Sequence, residues 1–339
     1  MEKLTMTRLA ELVPDEASAY RFLEDRRWKG TPTCCHCAST NVAYLNPENG
    51  CTRRTRTGAA SARRVWQCRD CRKQFSALTG TVMQGTKISV RIWVFVMFEI
   101  ASNKNGIAAR EVERRYGLTP RSAWHLLHRL REAMATKTIA EPLGGDDTVI
   151  IADETYIGGS LKTMNRKARQ RLDAVPVKPG SREGGPGWNK ASVLSLLDTR
   201  TGEVRSQVML DVTGKSLRKA IADQVQMSGS VLWTDEAKAY RMVATEFAAH
   251  EAVNHKASQY ARYRNGTTIS TNAIESFFSQ LKRSLDGTHH HVSRKHLARY
   301  LGEFDFRHST RKMPDTVRFS MLVERTEGVR LAYRPLIAA

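Results

Sequence analysis

Long apolar runs are missing from this chain of 339 residues, and their absence sets the first bound. A helix that crosses a bilayer needs about 20 mostly apolar residues. The best stretch here, Ile92–Ile100, is short and carries Glu99, so it is expected to be a core helix. The opening Met1-Glu-Lys-Leu-Thr-Met6 lacks the basic region and continuous apolar stretch of a secretory leader, and a cytoplasmic location is expected. Negative charge is also scarce: 34 Asp and Glu face 54 Lys and Arg, for a formal net charge of +20. A surplus of that size calls for a polyanionic partner, and nucleic acid fits better than a membrane surface. No segment recurs at a fixed period, which excludes solenoids and propellers. Hydrophobic residues still make up 41% of the chain, enough for two or three globular cores.

Cysteine is sparse, with six residues in all, but four of them are paired as Cys34-Cys-His-Cys37 and Cys68-Arg-Asp-Cys71. In a reducing compartment such cysteines are thiols. Each C-x-x-C turn offers two thiolates, and four thiolates close a tetrahedral zinc site with no position open for catalysis. One structural zinc on Cys34, Cys37, Cys68 and Cys71 is therefore expected, with Cys35, His36 and Cys51 as alternative ligands. Thirty residues separate Cys37 from Cys68, more than the usual spacer of about 15–20. The polar, basic, turn-rich stretch 46–58 accounts for the excess as an extended hairpin tip.

Residues 106–131 read as a helix-turn-helix. Ile107, Val112 and Tyr116 pack inward, Gly117 makes the turn, and Thr119 caps a second helix that starts at Pro120, where a missing N–H costs nothing. Arg121, Ser122 and His125 are the residues placed to meet a major groove, while Trp124, Leu127 and Leu130 form a core stripe. A structural three-helix domain would show the same pattern.

Two acids sit where a charge is costly. Asp153 interrupts the apolar strand pattern 148–157, and Asp235 ends the strand pattern 230–235. A divalent cation would offset that cost, and oxygen donors suit magnesium or manganese. A third acid, Glu275, lies in a late helix whose apolar face is Ile274, Phe277, Phe278, Leu281 and Leu285. Glu275 and Lys282 share the polar face, two turns apart. Asn272 with Glu275 also has capping-box spacing, which keeps a purely structural reading open. Glu154 and Glu236 are expected to turn away from the site or to start a helix; His289, His290 and His291 are consecutive and make a poor metal site.

Strands are expected near 148–157, 192–198, 203–210 and 230–234, with helices near 215–226 and 236–248. The resulting organisation is multidomain α+β: an N-terminal helical segment (1–30), a zinc ribbon (31–81), a helical helix-turn-helix domain (82–140), a mixed-sheet catalytic domain (146–312) and a C-terminal tail (313–339). Within the catalytic domain, residues 160–190 are rich in Gly, Pro and cations and read as a mobile basic loop.

The phrases Cys68-Arg-Asp-Cys-Arg-Lys-Gln-Phe-Ser76, Ala152-Asp-Glu-Thr-Tyr-Ile-Gly-Gly159, Thr234-Asp-Glu-Ala-Lys-Ala-Tyr240, Thr271-Asn-Ala-Ile-Glu-Ser-Phe-Phe-Ser-Gln-Leu-Lys-Arg283 and Glu303-Phe-Asp-Phe-Arg307 carry a resemblance over nearly the whole chain. It resembles bacterial insertion-sequence transposases related to eukaryotic Merlin elements, with a ribonuclease-H-like α/β catalytic domain. The resemblance implies Asp153, Asp235 and Glu275 as an acidic triad holding two magnesium or manganese ions, with Asn272 as the alternative third residue. It implies Lys282 as the basic residue after the third acid, with Lys282 and Arg283 on DNA. It further implies a nucleoid-associated enzyme that binds terminal inverted repeats and target DNA as a homodimer or larger assembly, cuts 3′ ends and joins them. A DNA-binding regulator derived from such an enzyme, or a metal-dependent endonuclease that never joins, are the alternatives. This chain departs from the family's Cys-Pro-x-Cys ribbon start by carrying Cys35.

Overall fold

The computed structural model describes residues 3–45, 58, 62–135, 141–158, 166, 170, 190–235, 238–253, 261–264 and 267–337. The hairpin tip with Cys51, nearly all of the basic loop 160–190, and Glu236 lie outside the described residues. The chain divides into two compact units, Met1–Met134 with Lys312–Ala339, and Ala135–Arg311. Among the described residues no helix is long and apolar enough to cross a membrane.

The first unit opens with helices α1 (Met6–Leu12) and α2 (Glu16–Trp28); Asp15 caps α2 by accepting the Ser18 N–H at 2.7 Å. A small antiparallel sheet follows, β1 (Val42–Tyr44), β2 (Trp66–Cys68) and β3 (Gln74–Phe75). Three helices complete the run: α3 (Val90–Ser102), α4 (Ala109–Tyr116) and α5 (Pro120–Met134). Gly117 ends α4 at φ 63°, a conformation that favours glycine, and Thr119 Oγ1 accepts the Ser122 N–H at 3.2 Å to start α5. The stretch 313–339, expected as a tail, is grouped with this unit: the helix Asp315–Arg325 packs on α3, burying Phe319, Leu322 and Val323. An amphipathic helix needs a partner for its apolar stripe, and α3, apolar nearly all round, supplies one.

The second unit is built on a five-stranded mixed sheet. Its strands in sequence are β5 (Val149–Ile157), β6 (Ala191–Asp198), β7 (Val204–Met209), β9 (Val231–Asp235) and β10 (Ala249–Val253), in spatial order β10-β9-β5-β6-β7. Strands β5, β6 and β7 run antiparallel, whereas β9 and β10 run parallel to β5 and to each other. This is the mixed sheet expected of a ribonuclease-H-like domain. A short ladder pairs β4 (Leu143–Gly144) with β8 (Val225–Gln226), which occupies the end of the helix expected near 215–226, and β11 (Ala261–Arg264) pairs with β12 (Thr267–Ser270).

Because strand side chains alternate, the sheet has two buried faces. On one, Ile151, Val193, Leu197, Val204 and Trp233 meet Ile274, Phe277, Phe278 and Leu281 of α8 (Asn272–Ser284) and Leu297, Leu301 and Phe304 of α9 (Arg294–Ser309). On the other, Ile150, Ala152, Leu194, Leu196 and Leu232 meet Leu217 and Ile221 of α6 (Gly214–Ala222) and Val243 of α7 (Arg241–Ala244). Each such side chain contributes about 1.5–3 kcal/mol on burial. The helix expected over 236–248 is different: it is a turn at Lys238–Tyr240 and one short helix, after which Ala249–Val253 extends and pairs with β9.

Candidate functional site

Two clusters bring chemistry-bearing side chains together, one in each unit. In the first, the two cysteine turns face each other. The Cys34 N–H donates to the Ser39 carbonyl at 2.9 Å and Ala38 takes φ 58°; the Cys68 N–H donates to the Lys73 carbonyl at 3.0 Å and Arg72 takes φ 58°. These matching turns aim all four sulfurs inward, within 4.8 Å of one another. Cys34 Sγ lies 3.7 Å from Cys71 Sγ, and Cys37 Sγ 3.6 Å from Cys68 Sγ. Sulfurs about 2.3 Å from a tetrahedral zinc stand about 3.8 Å apart, so the quartet fits one zinc ion. The Cys71 N–H, followed by that of Asp70, lowers the Cys68 thiol to about 7, toward the thiolate that a metal requires. Behind the sulfurs, Trp28 meets both Trp66 and Phe75 edge-on at 5.8 Å, and Glu24 accepts from Arg64 and Trp66 Nε1. Cys35 is exposed and stands outside the quartet.

The second cluster lies on the α8 face of the mixed sheet. Ile151 pairs with Trp233 across β5 and β9, so Asp153 and Asp235, two residues further along each strand, project from the same face. Burial first, then the charges of Asp235, Glu154 and Glu275, push the Asp153 carboxyl up to about 7, against the Glu154 N–H that it accepts at 2.7 Å. Glu275 is brought there by α8, whose Ile274, Phe277, Phe278 and Leu281 are buried as their spacing predicts. The N-cap of α8 is Thr271, not Asn272; the Thr271 carbonyl accepts the Ile274 and Glu275 N–H groups, and its hydroxyl donates to Glu275 Oε1 at 2.8 Å. The capping box expected from Asn272 does not form: Thr271 makes no side-chain cap bond, its N3 residue is Ile274, and Asn272 is exposed in the first turn.

Glu154 points to the other face, by the same alternation that directs Ile150 and Ala152 there. Burial pushes its carboxyl up to about 7, opposed by the hydroxyl of the fully buried Tyr240. Lys282 and Arg283 are exposed on the last turns of α8. His289 packs on Tyr300, with ring centres 4.9 Å apart, and no histidine joins a metal-ligating group among the described residues. The three acids are not drawn as close as the four thiols, which form the one such tight group among the described residues.

On α5 two of the three residues expected to face a groove, Arg121 and His125, are engaged by the C-terminal segment. The Arg121 guanidinium lies 5.7 Å from the Tyr333 ring, His125 meets that ring edge-on at 5.3 Å, and His125 Nε2 lies 3.3 Å from the Leu331 carbonyl. Burial lowers the His125 pKa. Ser122 is held by Thr119, whose hydroxyl donates to Ser122 Oγ at 2.9 Å. Nothing in the sequence near Tyr333 signals this packing, since it joins residues more than 200 positions apart.

Residues 142–309 match the model of the ISXO2-like transposase domain, and residues 14–74 match that of a transposase zinc-ribbon domain. A protein of Halobacterium salinarum, described as an uncharacterized protein in transposable element ISH50, is 24% identical over 91% of this chain and 96% of its own length. Among solved structures, a chain of the simian T-cell lymphotropic virus intasome in complex with a PP2A regulatory subunit aligns with 15% identity and a TM-score of 0.26. It covers 57% of this chain and 63% of that one.

Proposed function

We propose, from the premise that this chain belongs to the insertion-sequence transposases with a zinc ribbon and an ISXO2-like domain, that it cuts and joins the DNA ends of its own element. The observation that carries this reading is the convergence of Asp153, Asp235 and Glu275 on one face of the sheet, close enough for their charges to raise the Asp153 carboxyl. Three hard oxygen donors are a donor set for magnesium or manganese. Two such ions, when bound, supply activation of the attacking oxygen and positive charge for the leaving one.

The chain's own residues do the rest. Asp153 and Asp235 hold their carboxylates on adjacent strands, so their separation is set by the sheet rather than by side-chain freedom. Thr271 orients Glu275 through its hydroxyl, which limits the rotamers of a longer side chain. Lys282, on the same helix and exposed, would hold a DNA phosphate, with Arg283 beside it in sequence. The carboxylates require no covalent enzyme intermediate, since water and then a 3′-hydroxyl serve as nucleophiles.

The first unit would supply end recognition. Its zinc ribbon would act with the α4–α5 helix-turn-helix, whose second helix carries Arg121, Ser122 and His125, and the +20 surplus would add phosphate contacts that make binding steeply salt-dependent. Pairing two ends takes at least two copies on double-stranded DNA. The test incubates purified protein and Mg2+ with a labelled duplex of the parent element's ends and a plasmid target, beside Asp235→Ala. Joined products that vanish in the variant support a transposase. Nicking without joining supports an endonuclease, and binding without cleavage supports a regulator.

A further inference from the structure

The α8 face of the sheet is apolar along β6 and β7 except at one level. Val193, Ser195 and Leu197 alternate on β6, and Val204, Ser206 and Val208 on β7. The register aligns the exceptions: Asp153 is the partner of Ser195, and Ser195 is the partner of Ser206. Directly opposed residues have Cβ atoms about 4.5–5.5 Å apart and share a face. A polar row therefore crosses the sheet from Asp153 through Ser195 to Ser206, and there it meets a carboxylate from α9.

That carboxylate is Asp305. Ser206 Oγ donates to Asp305 Oδ1 at 2.7 Å, the Ser206 N–H donates to Oδ2 at 2.7 Å, and Ser195 Oγ lies 2.8 Å from Ser206 Oγ. The N–H bond has a structural purpose, because β7 is an edge strand and its outward amides need acceptors. The serine hydroxyls have none of that kind. Ser195 is fully buried in a face otherwise filled by Val and Leu, where a valine would pack without any polar group to satisfy.

We propose that Asp305 is a positioning residue for the acidic site: through Ser206 it fixes the hydroxyl of Ser195 opposite Asp153, and so helps Asp153 hold a divalent cation. This rests on the reading of Asp153 as a cation ligand. A carboxylate only accepts, so Asp305 takes the Ser206 proton in a hydrogen bond, Ser206 takes that of Ser195, and the Ser195 lone pairs turn toward the Asp153 side. Burial pushes the Asp305 carboxyl up to about 7, so the ionised form, and with it this sense of the row, is favoured above that pH. An amide at position 305 would keep the shape and reverse the sense: its NH2 donates to Ser206, Ser206 donates to Ser195, and a Ser195 proton then faces the cation.

The test is Mn2+ binding to the zinc-loaded protein at pH 8, read by calorimetry or electron paramagnetic resonance without DNA. Ser195→Ala and Asp305→Asn should each raise the Mn2+ dissociation constant about tenfold, the lower end for residues supporting a ligand. The double variant should lose no more than either single one, because both act through one row. If Asp305→Asn does not fold, Ser206→Ala takes its place with the same expectation. Unchanged affinity in Ser195→Ala, or losses that multiply in the double variant, overturn the proposal. Asp153→Asn separates the two levels: if it binds Mn2+ as wild type does, the reading of the acidic site itself is wrong. If it abolishes binding while the serine and Asp305 variants bind normally, only the positioning role is lost.

Discussion

Replacing Asp153 with Asn should stabilise the metal-free protein while destroying its activity. The unfolded chain releases the Asp153 proton near pH 3.8, but the folded protein holds it to about 7. Below pH 3.8 both states are protonated and the group is neutral in its effect. Between those values the unfolded state ionises and the folded state does not, so stability falls as pH rises, and the loss is complete above pH 7. At about 1.36 kcal/mol per pH decade the ideal loss is about 4 kcal/mol. Relaxation and water entry near a partly accessible site reduce this, and about half is a fair expectation. For a domain of this size, about 2 kcal/mol moves the melting temperature by about 4–8 °C. Thermal melts of the zinc-loaded protein in magnesium-free buffer should therefore place Asp153→Asn above wild type at pH 8 and level with it near pH 4. Saturating Mg2+ should narrow the gap at pH 8 by stabilising wild type alone. A variant less stable than wild type at pH 8, or a gap independent of pH, would refute the reasoning.

Three further outcomes are expected. Cys68→Ser should abolish the single zinc found by elemental analysis and quench the ordered Trp28–Trp66 environment in fluorescence, because only Cys34, Cys68 and Phe75 are fully buried in that cluster, whereas structural zinc supplies about 10–16 kcal/mol in small metal-built folds. Gly302→Val should cost about 1–3 kcal/mol in denaturant titration, since even a Cβ at position 302 would lie 2.7 Å from Ala135. Arg121→Ala should weaken binding to the element's ends and flatten the salt dependence by about one phosphate contact; an unchanged slope would remove Arg121 from the DNA surface.

The readable parts of this molecule were those written in local pattern. Paired cysteines fixed the zinc quartet in spite of the long spacer, and the 3.6-residue spacing of Ile274, Phe277, Phe278 and Leu281 fixed which face of α8 is buried. Asp153 and Asp235 stood out because each breaks or ends an apolar strand. What stayed hidden depends on partners distant in sequence. Ala249–Val253 has no strand alternation of its own and extends because β9 offers an edge. Thr271 and Asn272 are both good caps, and the choice between them falls to Thr271, which is buried and bonded to Glu275. The helix Asp315–Arg325 looked like part of a tail until α3 was seen to supply its partner, and Tyr333 gives no hint that it packs against Arg121 and His125. Ser195 and Ser206 are unremarkable singly; only the register across three strands lines them up with Asp153, and Asp305 joins them from α9.

The central claim is that three carboxylates on one sheet face carry out metal-dependent DNA phosphoryl transfer. Its most direct test is the single-turnover rate of 3′-end cleavage on a labelled element end in Mg2+, for wild type, Asp153→Asn, Asp235→Asn and Glu275→Gln, with end binding measured in parallel. The account predicts rates at least about a thousandfold lower in all three variants, about 4 kcal/mol of barrier, with end affinity little changed. Cleavage by any one of them at close to the wild-type rate would contradict it.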